Sequence, residues 1–385
     1  MSEPAAESEV AARRTFGAVA AARPAGLRSG IIGAGFMGQV HARAVRSAGG
    51  TVAAVASSTV ARGEAGAAEL GAAWAAPSAQ ALIASPTVDV VHVCTPNHTH
   101  ADLVRAAITE GKHVVCEKPL ATTVEDAQDL VERAAGAGLV CAVPFVYRYY
   151  PTVLEARARL ATGELGAVHL VHGSYLQDWL ADTGDQNWRV DPALGGASRA
   201  FADIGVHWCD LVEFATGHRI TSLSARLKTA VPVRVVGDEL RPVATEDAAT
   251  LVFETDHGAV GSLVVSQVTA GRKNRLWFSL DAAKASFAFD QELPDTLWMG
   301  KRDGVELLQR GASLRSAEAQ RMTVVPAGHP QGYQDCFNAL VADVYARVAG
   351  RPAPGMPTFA DGLRAARLTA AVLESAACAR WVDVA

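Results

Sequence analysis

The 385-residue chain lacks any excess of positive charge: 35 Lys and Arg stand against 40 Asp and Glu, a formal net charge of -5. That argues against a nucleic-acid-binding surface, and no basic stripe interrupts the pattern. No apolar run is long enough to cross a bilayer, so no membrane partner is expected. Six cysteines are present, at 94, 116, 141, 209, 336 and 378, but none are in CxxC spacing. A zinc site or disulfide framework is therefore not expected, no metal is invoked, and a reducing cytoplasm is the default location. Most of these cysteines sit inside apolar runs, where the residue acts as a small hydrophobe. No internal repeat is visible.

What is present reads as a folded chain of two domains. Half of the residues are hydrophobic and 19% are charged, the balance of a globular protein. The length exceeds one ordinary core. Residues 1–26 show no regular period and read as a disordered extension. Their Arg13-Arg14 pair hints at a twin-arginine export signal, but the apolar stretch that follows is broken by Arg23-Pro24. From Leu27, short apolar strands ("LRSGIIG", "TVAAVAS", "VDVVHVCTP", "KHVVCEKP", "LVCAVPF") alternate with amphipathic helical stretches. That alternation predicts an α/β Rossmann domain over 27–146, its parallel sheet covered on both faces. After a helical stretch behind Pro151, longer alternating strands appear ("AVHLVHGSYL", "AATLVFET", "GAVGSLVVSQV", "RLWFSLDA", "ASFAFD"). Helical stretches follow at about 331–349 and 358–379. Residues 147–385 are thus expected to form an α+β domain with an open, mostly antiparallel sheet. An exposed apolar sheet face invites pairing with a second copy, so a homo-oligomer is expected.

Within "GIIGAGFMGQVHA", Gly33, Gly35 and Gly38 form G-x-G-x-x-G between a strand and a helix, the context of a dinucleotide site. Gly33 permits the tight turn, Gly35 lets backbone approach a pyrophosphate, and Gly38 lets helix and strand pack closely. Phe36 and Met37 complete the loop, and the helix N-terminus offers free N–H groups. The fingerprint expects an acid about 20 residues on, to hold a ribose. From Gln39 to Gly63 there is none. The second strand ends in Ser57-Ser58, with Arg62 following. Hydroxyls and a cation suit a 2′-phosphate, which favours NADP while leaving NAD open. The plainer reading of Arg62 is a solvated helix residue.

Ligands of such a sheet bind beyond the carboxyl ends of its strands. "CTPNHTH" and "CEKP" both lie there, so Thr95, Pro96, Asn97, His98, His100, Glu117 and Lys118 are expected to line one crevice. Charge at the tip of a buried strand is costly unless paired or used. Asp203 and His207, four apart, would share one face of a helix in an apolar setting and would need partners that a substrate could supply. The alternative is a capping aspartate with a core histidine.

The glycine loop, "TPNHTHADL", "GKHVVCEKPLA", "YRYYP" (147–151) and "DIGVH" (203–207) together resemble the Gfo/Idh/MocA oxidoreductases, which act mainly on sugars and cyclitols. The resemblance spans nearly the whole chain from Leu27. It implies an NAD(P)-dependent enzyme in which Lys118 and His207 are the catalytic pair, Asp203 supports the substrate, and the Lys-Pro bond is cis. Either Lys118 or His207 could take the hydroxyl proton, and Glu117 could anchor Lys118 or a cofactor ribose. The long connection from Tyr175 to His207 reads as a specificity loop. Its Gln177, Asp178 and Trp179 offer hydroxyl partners and an aromatic face for a carbohydrate. That segment resembles levoglucosan-dehydrogenase-like members acting on anhydrosugars or glycosides. The resemblance implies that Trp188 and Arg189 approach the nicotinamide end, and that His329 and Tyr333 face the substrate. Tyr147 and Arg148 fall at the domain junction, an expected pocket edge. Two other functions stay open on the same fold: a redox-neutral glycoside-cleaving enzyme that retains its cofactor, and a ligand-sensing regulator, against which the intact Lys118, Asp203 and His207 argue.

Overall fold

The computed structural model describes residues 26–385; the N-terminal extension and its Arg13-Arg14 pair lie outside the described residues. The chain opens with β1 (Arg28–Ile32), α1 (Phe36–Ser47), β2 (Thr51–Ala56), α2 (Val60–Glu69), β3 (Trp74–Ala75), α3 (Ala79–Ile83), β4 (Val90–Val93), α4 (His100–Thr109), β5 (His113–Cys116), α5 (Val124–Ala137) and β6 (Cys141–Ala142). The six strands form one sheet in the order β3-β2-β1-β4-β5-β6, and every pairing is parallel. Its central strands are Val-, Ile- and Ala-rich because both faces are covered; all four residues of β4 are buried. The apolar run expected as a last strand ("LVCAVPF") contributes only the two residues of β6. Its remainder turns into the domain junction.

The second half adds α6 (Pro151–Ala161), β7 (Val168–Leu176), α7 (Pro192–Gly195), α8 (Val206–Thr216), β8 (Ile220–Lys228), β9 (Val233–Val236), β10 (Glu239–Pro242), β11 (Ala248–Thr255), β12 (Val260–Ser266), β13 (Arg275–Ala282), β14 (Ser286–Asp290), β15 (Thr296–Lys301), β16 (Gly304–Gln309), α9 (Ala317–Met322), α10 (Tyr333–Val348), α11 (Phe359–Cys378) and β17 (Val382–Asp383). Nine strands make one open sheet in the order β16-β15-β14-β13-β7-β12-β11-β8-β17. All pairings are antiparallel except β7 with β12, which run parallel and end together at Leu176 and Ser266. Alternate residues are buried along β11, where Leu251 and Phe253 point inward and Val252 outward. Helices cover the inner face, with α6, α8 and α11 packing there or on each other. The two long C-terminal helices return to the first domain: α10 packs on α1, and α11 on α5. Among the described residues no helix is long and apolar enough to cross a membrane.

Candidate active site

The carboxyl ends of the parallel strands open into a cavity of about 1330 Å³ that the second domain closes from the far side. At one end is the glycine loop. Gly33 adopts a φ of +102°, a left-handed value that side chains resist, which makes the tight turn after β1 possible. A Cβ on Gly38 would lie 2.2 Å from the Gly33 carbonyl oxygen, so α1 can approach β1 only with glycine there. A Cβ on Gly35 would meet nothing within 4 Å, which leaves open space beside the first turn of α1. Free backbone N–H groups, room for a pyrophosphate and an uncharged apolar rim of Phe36 and Met37 fit a dinucleotide. Beyond β2, Ser57, Ser58 and Arg62 also line the cavity, and Arg62 Nη1 donates to Ser58 Oγ at 3.2 Å.

The other end carries the charged groups. Lys118 Nζ donates to the Asp203 carbonyl at 2.8 Å and to Asp203 Oδ1 at 2.5 Å. Asp203 Oδ2 accepts from Gln267 Nε2 at 2.7 Å, and Oδ1 also accepts from Arg189 Nε at 3.2 Å. Burial works against the Asp203 charge, but the Lys118 ammonium and the Arg189 guanidinium outweigh it and hold the carboxyl well below its ordinary range. His207 sits edge-on to Tyr147, ring centroids 5.1 Å apart. Burial, reinforced by the Lys118 charge, pushes its pKa well down against the pull of Asp203, so the imidazole is neutral at neutral pH. Its Nδ1 is buried without a partner. The Lys118-Pro119 peptide bond is cis.

Three expectations about this cluster change. Asp203 and His207 are not two rungs of a regular helix: Asp203 lies in a π turn (Phe201–Gly205) that runs into α8. No hydrogen bond joins the two, and Asp203 finds its partners inside the protein, in Lys118, Gln267 and Arg189. Glu117 does not anchor the Lys118 side chain. Its Oε1 pairs with His41 Nε2 at 2.9 Å, and Oε2 accepts the Lys118 backbone N–H at 3.3 Å.

The strand-end residues divide in two. Thr95, Pro96, Asn97 and His98 line the cavity, with Asn97 Nδ2 donating to the Gly195 carbonyl at 2.8 Å and so tying the crevice to α7. His100 is fully buried behind them. Its ring nitrogens lie 2.7 Å from the Pro119 carbonyl oxygen and 2.9 Å from that of Thr95, between the two strand-end loops. Of the specificity loop, Gln177, Trp179, Trp188 and Arg189 line the cavity, and the Arg189 guanidinium stacks 4.4 Å over the Trp188 ring. Asp178 does not. Its carboxylate turns outward to Lys273 Nζ (2.7 Å) and the Gly271 N–H (3.0 Å), closing the neighbouring loop. Tyr147 and Tyr333 line the cavity. Arg148, expected beside Tyr147 at the pocket edge, is instead buried among Asp210 and Asp361, a pairing that fastens α8 to the start of α11. His329 precedes α10 in an exposed turn, where its carbonyl accepts from Arg310, so it does not share a helix face with Tyr333.

Tyr175, which opens the specificity loop, is joined in the site by residues that local sequence did not flag, Asn274 and Gln267 among them. Tyr175 OH meets Tyr147 OH at 2.5 Å and donates to Asn274 Oδ1 at 2.8 Å, which also receives Gln177 Nε2 at 2.8 Å. Asn274, immediately before β13, gives no local signal. Gln267 follows β12 as Gln177 follows the parallel β7, and the strand pairing sets the two side by side. Behind them Arg199 and Arg234 share the buried Asp247, and Arg199 Nη1 donates to Gln267 Oε1 at 3.2 Å.

A parallel sheet whose glycine loop opens a cavity floored by a Lys–Asp pair defines a nicotinamide-type oxidoreductase. Comparison with known proteins agrees. The profile of the Gfo/Idh/MocA oxidoreductase family, described as an NAD-binding Rossmann fold, matches residues 27–145, and that of the family's C-terminal domain matches 153–287. A levoglucosan dehydrogenase of Pseudarthrobacter phenanthrenivorans is 31% identical over 326 residues, 79% of this chain and 82% of the relative. A levoglucosan dehydrogenase structure in complex with NADH and L-sorbose superposes with a TM-score of 0.88 at 29% identity, over 94% of this chain and 100% of that one. An oxidoreductase domain protein from Kribbella flavida gives 0.87 at 33% identity, over 94% and 100%. The chain belongs to the Gfo/Idh/MocA oxidoreductase family.

Proposed function

We propose that the protein transfers hydride between NAD(P) and a CH–OH carbon of a sugar, glycoside or cyclitol. The observation that carries this is the Lys118–Asp203 ion pair beside the neutral His207, in the same cavity as the glycine loop. When bound, the nicotinamide supplies the hydride acceptor. The chain supplies everything else. Lys118, locked to Asp203 by two hydrogen bonds, polarises the substrate hydroxyl. His207, neutral and facing the cavity, takes the hydroxyl proton. Gln177, Asn274 and Tyr175 offer donors and acceptors for neighbouring hydroxyls, and Trp179 and Trp188 offer apolar faces to the ring. The likeness to levoglucosan dehydrogenases supports a small cyclic polyol or anhydrosugar as substrate.

NADP is the preferred form in this reading. No carboxylate stands at the end of β2, and the Ser58–Arg62 pair matches a 2′-phosphate in charge and hydrogen-bonding capacity. We further propose a homo-oligomer built on the outer face of the nine-stranded sheet. Val252, Ser262, His172, Ser279, Ala288, Trp298 and Leu307 are direct cross-strand partners on that face, and Leu307 is 68% exposed. All six cysteines are free, which suits a reducing cytoplasm. The test is one panel: NAD and NADP, each with monosaccharides, inositols, anhydrosugars and glycosides, following reduced nicotinamide. Formation of reduced cofactor with a cyclic polyol supports the reading. Cleavage of a glycoside with no net change in cofactor refutes it. Light scattering that gives a monomer refutes the assembly.

A further inference from the structure

A line of buried polar groups runs from the cavity through the core of the first domain, and nothing in the chemistry above uses it. Glu117 Oε1 meets His41 Nε2 at 2.9 Å. His41 Nδ1 meets His92 Nδ1 at 2.9 Å. His92 Nε2 meets Ser29 Oγ at 3.2 Å, and Ser29 Oγ meets Tyr345 OH at 2.7 Å. His41, His92 and Ser29 are 0% exposed, and Tyr345 is 1% exposed. The five groups come from α1, β1, β4, the end of β5 and α10, so no local motif accounts for the line. Buried polar groups cost free energy unless each is paired, and here each has a partner.

Hydrogen-bonding capacity gives the line a direction. A carboxylate only accepts, so His41 Nε2 must carry a hydrogen. The relay gives His41 that single hydrogen, so its Nδ1 accepts and His92 donates from Nδ1. His92 Nε2 then accepts from the Ser29 hydroxyl, and Ser29 Oγ accepts from Tyr345 OH. Every hydrogen points toward Glu117. Burial pushes the His92 pKa well down, consistent with a neutral ring.

We propose that Tyr345, Ser29, His92 and His41 form an ordered relay of positioning residues that fixes the Glu117 carboxylate, leaving its Oε2 as a hydroxyl acceptor facing the bound nicotinamide nucleotide. The relay occupies Oε1 from behind, so the carboxylate cannot rotate away from the cavity. Oε2 also holds the Lys118 backbone N–H, so the same fixing sets the base of the Lys118 side chain. The four residues touch neither substrate nor cofactor and act through Glu117. This inference rests on the cavity being a nicotinamide site, but its first test does not.

That test is the histidine ¹⁵N spectrum of the cofactor-free protein at neutral pH. The relay requires His92 as the Nδ1–H tautomer and His41 as the Nε2–H tautomer. A doubly protonated His41, or His92 protonated on Nε2, overturns it. The second test compares His92→Asn with His92→Leu, similar in size, of which only Asn keeps a donor near Nδ1. NADH and NADPH binding are each read by fluorescence. His92→Leu should weaken binding about tenfold with kcat within about twofold, and His92→Asn should recover most of the loss. Tyr345→Phe, at the far end, is mild enough to fold if the His92 variants do not, and should weaken binding about twofold. Equal binding by wild type and all folded variants overturns the relay. Wild-type protein that binds no nicotinamide nucleotide, with the tautomers as stated, overturns the cofactor reading instead.

Discussion

Replacing Lys118 by Met removes the ammonium while keeping an unbranched stem of similar reach. The structure sets both consequences. Lys118 Nζ makes its two contacts, at 2.8 and 2.5 Å, with a single residue, Asp203. Breaking a buried ion pair typically costs ~3–5 kcal/mol, because the surviving charge is stranded. Asp203 is not stranded, since Gln267 at 2.7 Å and Arg189 at 3.2 Å still hold it. The loss of stability should therefore fall below that range, at about 2 kcal/mol, and the variant should fold. Turnover should suffer far more. A group that both polarises the hydroxyl and steadies the developing alkoxide contributes on the order of 10²–10⁴ in rate, so kcat should drop about 10³-fold. The glycine loop lies at the other end of the cavity, and cofactor affinity should stay within about threefold. The assay pairs single-turnover appearance of reduced nicotinamide with fluorescence titration of NADH. A variant turning over within tenfold of wild type refutes the role given to Lys118. A loss of cofactor affinity that matches the loss of turnover refutes it equally, because Lys118 would then be a binding residue. Lys118→Arg separates charge from geometry: it should recover stability with Asp203 but little turnover.

Arg62→Ala should lower the NADP-over-NAD preference in kcat/KM at least tenfold, since hydrogen bonds to charged groups contribute ~1.5–3 kcal/mol; an unchanged ratio assigns Arg62 to solvent. Gln267→Leu strands the Asp203 Oδ2 and the Arg199 Nη1 in a dry setting, and urea unfolding should show a loss of about 2–3 kcal/mol. Acid should weaken the protein early. His92 and His207 are buried with pKa values pushed well down mainly by burial, so the unfolded chain binds protons that the folded chain does not. Their contribution is complete above the ordinary histidine pKa near 6.5 and is lost as pH falls below it, up to about 1.4 kcal/mol each by pH 5.5 and about 3 kcal/mol together. Urea midpoints at pH 7.5 and 5.5 check this, and a flat profile refutes it. Gly38→Ala forces a Cβ against the Gly33 carbonyl oxygen, so nucleotide binding should be lost before global stability is; binding within about twofold of wild type refutes the close packing.

The first domain was legible because each of its signals is local. The apolar strands, the glycine spacing and the Glu-Lys-Pro at a strand end carry their meaning within a dozen residues. The second domain was less so. β8, "ITSLSARLK", sits between β11 and the short β17, and its polar outer positions blur the alternation that marks a strand. β15 and β16 form an edge hairpin whose outward residues include Trp298 and Leu307, so no wet face announces it. In the site, residue types were readable but side-chain direction was not. Asp178 and Trp179 are adjacent in a loop, and only the loop's path decides that one meets Lys273 while the other lines the cavity. Arg148 follows Tyr147 in a 3₁₀ turn that sends the two side chains to different places. Asn274, Gln267 and the His41–His92 contact exist only because distant strands and helices meet, which no local pattern encodes.

The parallel pairing of β7 with β12 has an engineering consequence. Because the two strands end at the same end of the sheet, Gln177 and Gln267 begin two separate connections, tied to each other through Asp178, rather than the two arms of one hairpin. Between Asp178 and Arg189 the connection after Gln177 can change in length or composition without pulling on the register of either strand. Gln267 stays fastened to Asp203 throughout. Substrate range and chemistry are thereby separable parts: transplanting residues 179–188 from a relative that takes another polyol, with Asp178 and Arg189 kept, should redirect the enzyme while the Lys118–Asp203 pair keeps its geometry.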